Sequence, residues 1–125
     1  MQANILIIED NEQNLYLITF ILESRGHTII PAMDGESGIR IAGEIKPDII
    51  LLDIQLPGLD GYEVAKRLRN NPDLKNIPIV AVTSYAMVGD KEKALESGCT
   101  GYIEKPINPD TFPVEVEKFL KNSEE

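Results

Sequence analysis

Cysteine, histidine, basic residues and long apolar runs are all scarce in this chain. Its one cysteine, Cys99, cannot form an intrachain disulfide, and we expect it to be a small buried side chain near a helix end. Lysine and arginine number 12 against 21 acidic residues, and the net charge of −9 argues against nucleic acid or an anionic membrane surface as a partner. The apolar runs are too short to span a bilayer and no leader-like segment opens the sequence, so we expect a cytoplasmic protein.

The sequence contains instead a series of short apolar runs that end abruptly in polar residues. Such runs are typical of central strands in a parallel sheet, because both faces of these strands are buried. Segments with helical spacing separate them, so the alternation predicts an α/β domain. Four of the runs are Ile5-Leu6-Ile7-Ile8 before Glu9-Asp10, Ile49-Ile50-Leu51-Leu52 before Asp53, Ile79-Val80-Ala81-Val82 before Thr83, and Gly101-Tyr102-Ile103-Glu104 before Lys105.

The expected fold is one doubly wound sheet of five parallel strands in the order 2-1-3-4-5. We expect helices one and five on one face and the other three helices on the opposite face. At 125 residues the chain is long enough for a single domain with one sizeable core. The second strand is predicted over His27–Pro31, with His27 at the surface, and the fourth strand over Ile77–Val82. Asn108 is the predicted cap of the last helix. Because Pro113 has no N–H for a helical hydrogen bond, we expect the regular helix to begin near this proline or to be distorted in its first turn.

Three acids, Glu9, Asp10 and Asp53, converge at one edge of such a sheet because strands one and three are neighbours. Like charges so close together repel one another unless a cation or a proton is present. A ligand set of oxygens with few carboxylates favours Mg²⁺ over Ca²⁺. The plainer alternative is that Asp10 caps the first helix and Asp53 begins a turn. The metal-site interpretation is favoured over it because three acids lie at adjacent strand ends.

Thr83 and Lys105 add groups that a metal site alone would not need. An ammonium and a hydroxyl that face carboxylates can bind phosphoryl oxygens, and Mg²⁺ and lysine together neutralise the charge of the transferring group. Asp53 is then the natural nucleophile, because a carboxylate can form an acyl phosphate. Considered separately, Lys105 would be interpreted as a solvated surface lysine and Thr83 as a turn residue at the end of a strand. Their placement together favours phosphoryl chemistry.

Five motifs of this chain occur in the order that one protein family shows. The chain resembles the receiver domains of response regulators in two-component signalling, of the single-domain type, over residues 3–121. We expect a receiver domain at 1–121, a tail at 122–125 and no output domain. The motifs are the acidic pair Glu9-Asp10, the phosphoacceptor strand Leu51-Leu52-Asp53, the loop Leu56-Pro57-Gly58-Leu59-Asp60-Gly61, the switch hydroxyl in Val82-Thr83-Ser84, and Lys105-Pro106.

This resemblance implies a phosphoacceptor that depends on magnesium. Asp10, Asp53 and the backbone carbonyl of Gln55 would bind Mg²⁺ directly, and Glu9 would act through a water molecule. Asp53 would accept a phosphoryl group from a histidine kinase or a histidine phosphotransfer protein. The Lys105-Pro106 peptide bond would be cis.

The resemblance also implies a conformational switch. On phosphorylation Thr83 would move to bond the phosphoryl group, and the ring of Tyr102 would turn inward and change the surface of helix four, strand five and helix five. Gln55 and Tyr85 match positions that tune hydrolysis of the phosphoryl group. The protein would promote its own phosphorylation and dephosphorylation without being a conventional enzyme, and it would signal by contact with a downstream protein.

Two other protein classes share part of this pattern. A flavodoxin-like flavin binder has a loop rich in hydroxyls and glycine after strand one, whereas residues 9–12 here are Glu-Asp-Asn-Glu. A haloacid-dehalogenase-like phosphatase would need two aspartates spaced by one residue after the first strand and usually a cap domain. Within the receiver family, a free-standing regulator is the first expectation. The alternative is a phosphorelay intermediate or a receiver from a hybrid histidine kinase.

Overall fold

The computed structural model describes residues 2–84 and 89–123, in which strands and helices alternate strictly. The strands are β1 (Asn4–Ile8), β2 (Thr28–Ala32), β3 (Ile49–Asp53), β4 (Ile79–Thr83) and β5 (Gly101–Glu104). The helices are α1 (Glu12–Glu23), α2 (Gly35–Ile45), α3 (Gly61–Arg69), α4 (Asp90–Glu96) and α5 (Phe112–Ser123), with a 3-10 turn at Pro72–Leu74. The predicted α/β alternation is therefore confirmed.

The five strands form one parallel sheet in the order β2-β1-β3-β4-β5, as predicted. Ile8 pairs with Leu52, and Asp53 pairs with Val82. Because every strand runs in the same direction, the strand ends all lie at one edge, which we call the carboxyl edge, and the strand starts lie at the amino edge. The connections from β1 and β3 leave in opposite directions, so a crevice opens between these strands at the carboxyl edge.

Apolar side chains on both faces of the sheet hold the helices in place. α1 and α5 cover one face, and α2, α3 and α4 cover the other, as predicted. β3 and β4 are buried along their whole length, which explains their unbroken apolar runs. Within the described ranges, every helix is too short or too polar to cross a bilayer. The buried helix residues are Ile18, Ile21, Leu22, Phe112, Val116 and Leu120 on the first face, and Ala42, Val64, Ala65, Leu68 and Ala94 on the second.

Polar side chains cap the first three helices, which begin at the carboxyl edge. The side chain of Asn11 accepts a hydrogen bond from the backbone N–H of Asn14 and so begins α1. Asp34 and Asp60 cap α2 and α3 in the same way. A cap of this kind stabilises a helix by about 1 kcal/mol. Because Asn11 caps α1, the alternative interpretation of Asp10 as that cap is wrong.

A proline lies next to the first residue of both β4 and α5. β4 begins at Ile79 instead of Ile77, because the Ile77 N–H donates to the Leu74 carbonyl at 3.1 Å and Pro78 has no N–H to donate. The start of α5 at Phe112, next to Pro113, confirms that the regular helix begins near this proline. The predicted cap residue Asn108 lies before the turn that precedes α5, where its side chain accepts a hydrogen bond from the Asp110 N–H at 2.9 Å.

His27 contradicts the sequence analysis, because its side chain is fully buried and not at the surface. It precedes β2, which begins at Thr28 and not at His27. Its Nδ1 accepts a hydrogen bond from the Ala3 N–H at 3.2 Å, and its Nε2 lies 2.9 Å from Glu117 Oε2. A ring with an accepting Nδ1 carries its proton on Nε2, which therefore donates to Glu117. Arg25 donates to the same carboxylate, and we call Arg25, His27 and Glu117 the His27 cluster.

Candidate functional site at the carboxyl edge

Three carboxylates meet at the carboxyl edge of the sheet. Glu9 and Asp10 follow β1 and Asp53 ends β3, and one oxygen from each lies within 4.8 Å of the others. Glu9 and Asp53 are buried, with 2 % and 5 % of their surface exposed, whereas Asp10 is partly exposed. The structure thus brings together the three acids assigned to a metal site from the sequence, and we call them the acidic cluster.

Lys105 places an ammonium group against the acidic cluster. Its Nζ lies 2.9 Å from Glu9 Oε1 and 3.8 Å from Asp53 Oδ2. Its backbone N–H donates to the Thr83 carbonyl at 2.7 Å at the end of β5, and the peptide bond to Pro106 is cis, as the resemblance implied. The lysine therefore neutralises Glu9 more directly than Asp53, a preference that the sequence does not reveal.

The electrostatics of the acidic cluster disfavour three ionised carboxylates. Burial and a hydrogen bond with Asp53 raise the pKa of Glu9 to about 7, although Lys105 acts in the opposite direction. A proton held between Glu9 and Asp53 reduces the repulsion of the two carboxylates. A divalent cation would reduce the same repulsion without a proton, and a donor set made only of oxygen atoms fits Mg²⁺.

The loop after β3 fixes the orientation of Asp53. The Gln55 N–H donates to Asp53 Oδ1 at 2.9 Å. Gly61 packs so closely on this loop that a Cβ there would lie 2.8 Å from the Asp53 carbonyl oxygen and 2.5 Å from Ile54 Cα. Only glycine fits at that distance. One carboxylate oxygen of Asp53 is thus held, and the other faces Lys105.

The loops after β3 and β4 meet beside the acidic cluster. Thr83 ends β4 and is buried, and it lines a cavity of about 260 Å³ together with Gln55. The Ser84 hydroxyl donates to the side-chain oxygen of Gln55 at 2.8 Å and so joins the two loops. No sequence pattern predicts the bond from Ser84 to Gln55. Its position directly after Thr83 indicated the correct loop but not the partner.

The predicted switch residue Tyr102 lies in β5, where it pairs with Ala81 of β4 and is half-buried. Burial raises the pKa of the Tyr102 hydroxyl.

On the same face of the sheet, Lys93 Nζ of α4 lies 4.4 Å from the ring centre of Tyr62 in α3, a cation–π contact that joins the two helices. Tyr85 lies outside the described residues, so its effect on hydrolysis stays a prediction.

Comparison with known proteins decides the family. The sequence model of the response regulator receiver domain matches residues 5–117 of this chain. The chain belongs to this family. Over 120 residues the receiver domain is 40% identical to the polar-differentiation response regulator DivK of Brucella anthropi, and the match covers 96% of this chain and 98% of that protein.

Solved structures agree with the family assignment. The chemotaxis protein CheY4 of Vibrio cholerae matches this receiver domain with a TM-score of 0.90 at 25% identity, covering 95% of this chain and 99% of that chain. The receiver domain of sensor histidine kinase PA1611 from Pseudomonas aeruginosa PAO1 matches with a TM-score of 0.84 at 33% identity, covering 98% and 97%, and has a magnesium ion coordinated in its active site cleft. Receiver domains are signalling proteins rather than conventional enzymes, so this chain belongs to phosphorylation-dependent two-component signalling.

Proposed function

We propose that this receiver domain accepts a phosphoryl group on Asp53 from a phosphohistidine of a histidine kinase or phosphotransfer protein. The observation that carries the proposal is the placement of the Asp53 carboxylate. Its Oδ1 accepts a bond from the Gln55 N–H at 2.9 Å, and its Oδ2 lies 3.8 Å from the Lys105 ammonium. Oδ2 is thus the oxygen left to react, beside a cation that can bind the incoming phosphoryl oxygens.

The transfer needs no redox partner. Asp53 Oδ2 attacks the phosphorus atom, an O–P bond forms, and the N–P bond of the phosphohistidine breaks. The electron pair of the broken bond returns to the imidazole nitrogen of the donor, which then takes a proton from solvent. The product is an aspartyl phosphate whose added negative charge lies next to Lys105.

The acidic cluster is proposed to hold Mg²⁺ during this transfer. Asp10, Asp53 and the backbone carbonyl of Gln55 would bind it directly, with Glu9 acting through a water molecule. When bound, the ion supplies positive charge that neutralises the phosphoryl oxygens. The convergence of three carboxylate oxygens within 4.8 Å supports this assignment.

Thr83 and Tyr102 are proposed to convert phosphorylation into a change of surface. Thr83 would donate its hydroxyl to a phosphoryl oxygen, and Tyr102 would turn its ring inward, so that the surface of α4, β5 and α5 changes. The two residues lie on neighbouring strands, which supports their coupling. A downstream protein in the cytoplasm would bind this surface, without a nucleic acid or membrane partner.

Gln55 and Tyr85 are proposed to tune the hydrolysis of the aspartyl phosphate. Gln55 is exposed at the mouth of the site, and the bond from Ser84 at 2.8 Å holds its side chain there. A side chain in this position controls how water reaches the phosphorus atom. The protein would in this way set the lifetime of its own phosphorylated state.

A second candidate function is phosphoryl relay, in which the chain passes the group onward. The similarity to the receiver domain of sensor histidine kinase PA1611 supports it, whereas the nearly full-length match to DivK supports a regulator that acts by protein contact. Measuring phosphoryl flow to histidine phosphotransfer proteins, with complex formation followed in parallel, distinguishes the two. Rapid return of the group to a phosphotransfer protein favours the relay, and a stable complex with another protein favours the regulator.

Replacement of the phosphoacceptor tests the proposal. Asp53→Asn should abolish labelling by acetyl phosphate in the presence of Mg²⁺, because an amide oxygen is a much weaker nucleophile than a carboxylate. Asp34→Asn is the matched control, because Asp34 only caps α2 and asparagine also caps helices, so labelling should be unchanged. Intact-mass measurement gives the stoichiometry, and circular dichroism checks the fold. Full labelling of Asp53→Asn at another acid would refute Asp53 as the acceptor.

A further inference from the structure

A second cavity lies at the amino edge of the sheet, at the opposite end of the strands from the acidic cluster. It has a volume of about 300 Å³ and lies where the chain enters β4 and β5. Two basic side chains, Arg69 and Lys75, line it together with residues 76–78, Thr100 and the ring of Phe119. This volume is at the lower end of the range for small-ligand sites. The proposed phosphoryl chemistry makes no use of this cavity.

Arg69 brings to this cavity a positive charge that no acid in the described part of the chain neutralises by a direct ion pair. Its Nε donates to the Gly98 carbonyl at 2.7 Å, and its Nη2 donates to Thr100 Oγ1 at 3.0 Å. Its Nη1 donates to the carbonyls of Leu74 and Ile77 at 2.9 Å and 2.7 Å. Among the described residues, no carboxylate lies within ion-pair distance of it. Burial lowers the pKa of the guanidinium, as expected for a cation held mainly by neutral groups.

The bonds of Arg69 leave a donor available to a ligand. Each terminal nitrogen of a guanidinium carries two N–H groups, so Nη2 keeps a second donor after its bond to Thr100. The bonds from Nε and Nη1 hold the planar group in one orientation. Lys75 is exposed at the cavity and adds a second cation, and none of the described lining residues is acidic. The cavity is thus locally positive on a chain with a net charge of −9.

Phe119 gives the cavity an apolar wall that is also held in place. Its ring packs directly on Gly101, where an added Cβ would lie 2.2 Å from a ring atom. Ile77 and Pro78 add further apolar surface. A fixed guanidinium, a lysine and an aromatic ring together suit an anion with a flat apolar body, because the charge and the ring would each be matched.

We propose that this cavity is a binding site for a small organic anion. Its phosphate or carboxylate group would bind Arg69 Nη2 and the Lys75 ammonium, and its apolar body would pack against Phe119. Attraction to this site is local, because the net negative charge of the whole protein repels anions at long range. The ligand should therefore bind at the starts of β4 and β5 and not at the acidic cluster.

Titration of the isotope-labelled protein with phenyl phosphate, without Mg²⁺, tests the site by amide chemical shifts. We expect saturable shifts at the amides of Gly98, Thr100 and Ile77, and no change at Asp53. Inorganic phosphate should shift the same amides with lower affinity, because it lacks the ring. Phenol should give no saturable shift, because it lacks the charge.

Variants of the lining residues separate this site from general attraction to surface lysines. Lys75→Gln should weaken binding of phenyl phosphate by about threefold, the size expected for one exposed ion pair. Lys66→Gln is the matched control, because Lys66 is exposed on α3 and does not line the cavity, so affinity should be unchanged. Phe119→Leu should reduce the affinity for phenyl phosphate to that for inorganic phosphate. Shifts that do not saturate, that occur only at the acidic cluster, or that weaken equally in Lys75→Gln and Lys66→Gln would overturn the proposal.

Discussion

The acidic cluster and the His27 cluster lie at opposite edges of the sheet and differ in how they balance buried charge. At the carboxyl edge, burial and Asp53 raise the pKa of Glu9 to about 7. At the amino edge, hydrogen bonds from Arg25 and His27 lower the pKa of Glu117. Carboxylates outnumber cations in the first cluster, whereas a single carboxylate receives two donor side chains in the second.

This difference indicates which edge carries the chemistry. Groups whose ionised form is disfavoured are common at functional sites, because a bound ligand or a reacting group can offset the electrostatic cost of ionisation. Groups whose charge is matched by their neighbours contribute instead to folding stability. The carboxyl edge therefore fits the binding of a cation and a phosphoryl group, and the His27 cluster fits a structural role that joins the α1–β2 connection to α5.

The largest expected effect that distinguishes the two clusters is on Mg²⁺ affinity. Asp10→Ala should weaken Mg²⁺ binding by at least about tenfold, because it removes a direct carboxylate ligand, and even outer-shell partners contribute this much. Glu117→Ala should leave the affinity unchanged, since Glu117 lies at the other edge. Calorimetric titration with MgCl₂ measures both. Equal affinities in Asp10→Ala and the wild type would show that Asp10 is not a ligand.

A smaller contrast is expected in folding stability. Glu117→Ala should lower the free energy of unfolding by about 1.5 to 3 kcal/mol, because the buried Nε2–H of His27 loses its charged acceptor. Glu9→Gln should cost less or should stabilise the protein, because it removes one of the repelling carboxylates. Urea denaturation without Mg²⁺ measures both variants. A loss in Glu9→Gln as large as that in Glu117→Ala would contradict the contrast between the clusters.

The smallest effect is the pH dependence of the His27 cluster. The folded protein lowers the pKa of Glu117 below its ordinary value of 4.5, so the unfolded chain binds this proton more readily. The stabilisation is therefore fully present above pH 4.5 and is lost as the pH falls through the lower folded value. Arg25 and His27 face this carboxylate from the connection between α1 and β2, and Lys118 and Lys121 lie near it on α5.

Unfolding free energies of the wild type and Glu117→Gln, measured from about pH 5 to about pH 3, test this sign. The advantage of the wild type should shrink as the pH falls. An advantage that stays constant or grows toward acid would show that the Glu117 carboxylate is not stabilised by folding.

Local signals in the sequence were sufficient for the fold and for most of the site. Runs such as Ile49–Leu52 predicted buried strands because a central parallel strand has no polar face. Asp53 ends the apolar run of β3, and Lys105 directly follows β5. Because all five strands run in the same direction, both residues lie at the same edge of the sheet.

Partners distant in the chain could not be predicted in this way. The position of His27 next to a strand start predicted a surface residue. Its acceptor Glu117 is 90 residues away in the sequence, and the two side chains meet only when α5 packs against the sheet. Lys105 was expected to face the carboxylates, and it does, but the sequence does not indicate that its ammonium lies closer to Glu9 than to Asp53, since that preference depends on a difference of about an ångström in the folded site. Arg69 gave no signal at all, because its partners are mostly backbone carbonyls.

Structure determination of the protein with Mg²⁺ and beryllofluoride, a phosphoryl mimic, tests the proposed site most directly, with Thr83→Ala as the comparison. Beryllium should be bonded to Asp53, and Lys105 should leave Glu9, now 2.9 Å away, to bond a fluoride. Tyr102 should turn inward in the wild type and stay in place in Thr83→Ala, although both bind the mimic at Asp53. Beryllofluoride bound elsewhere, or Lys105 still on Glu9 beside an occupied Asp53, would contradict the phosphoryl site. Identical Tyr102 changes in both proteins would remove the Thr83 hydroxyl from the switch.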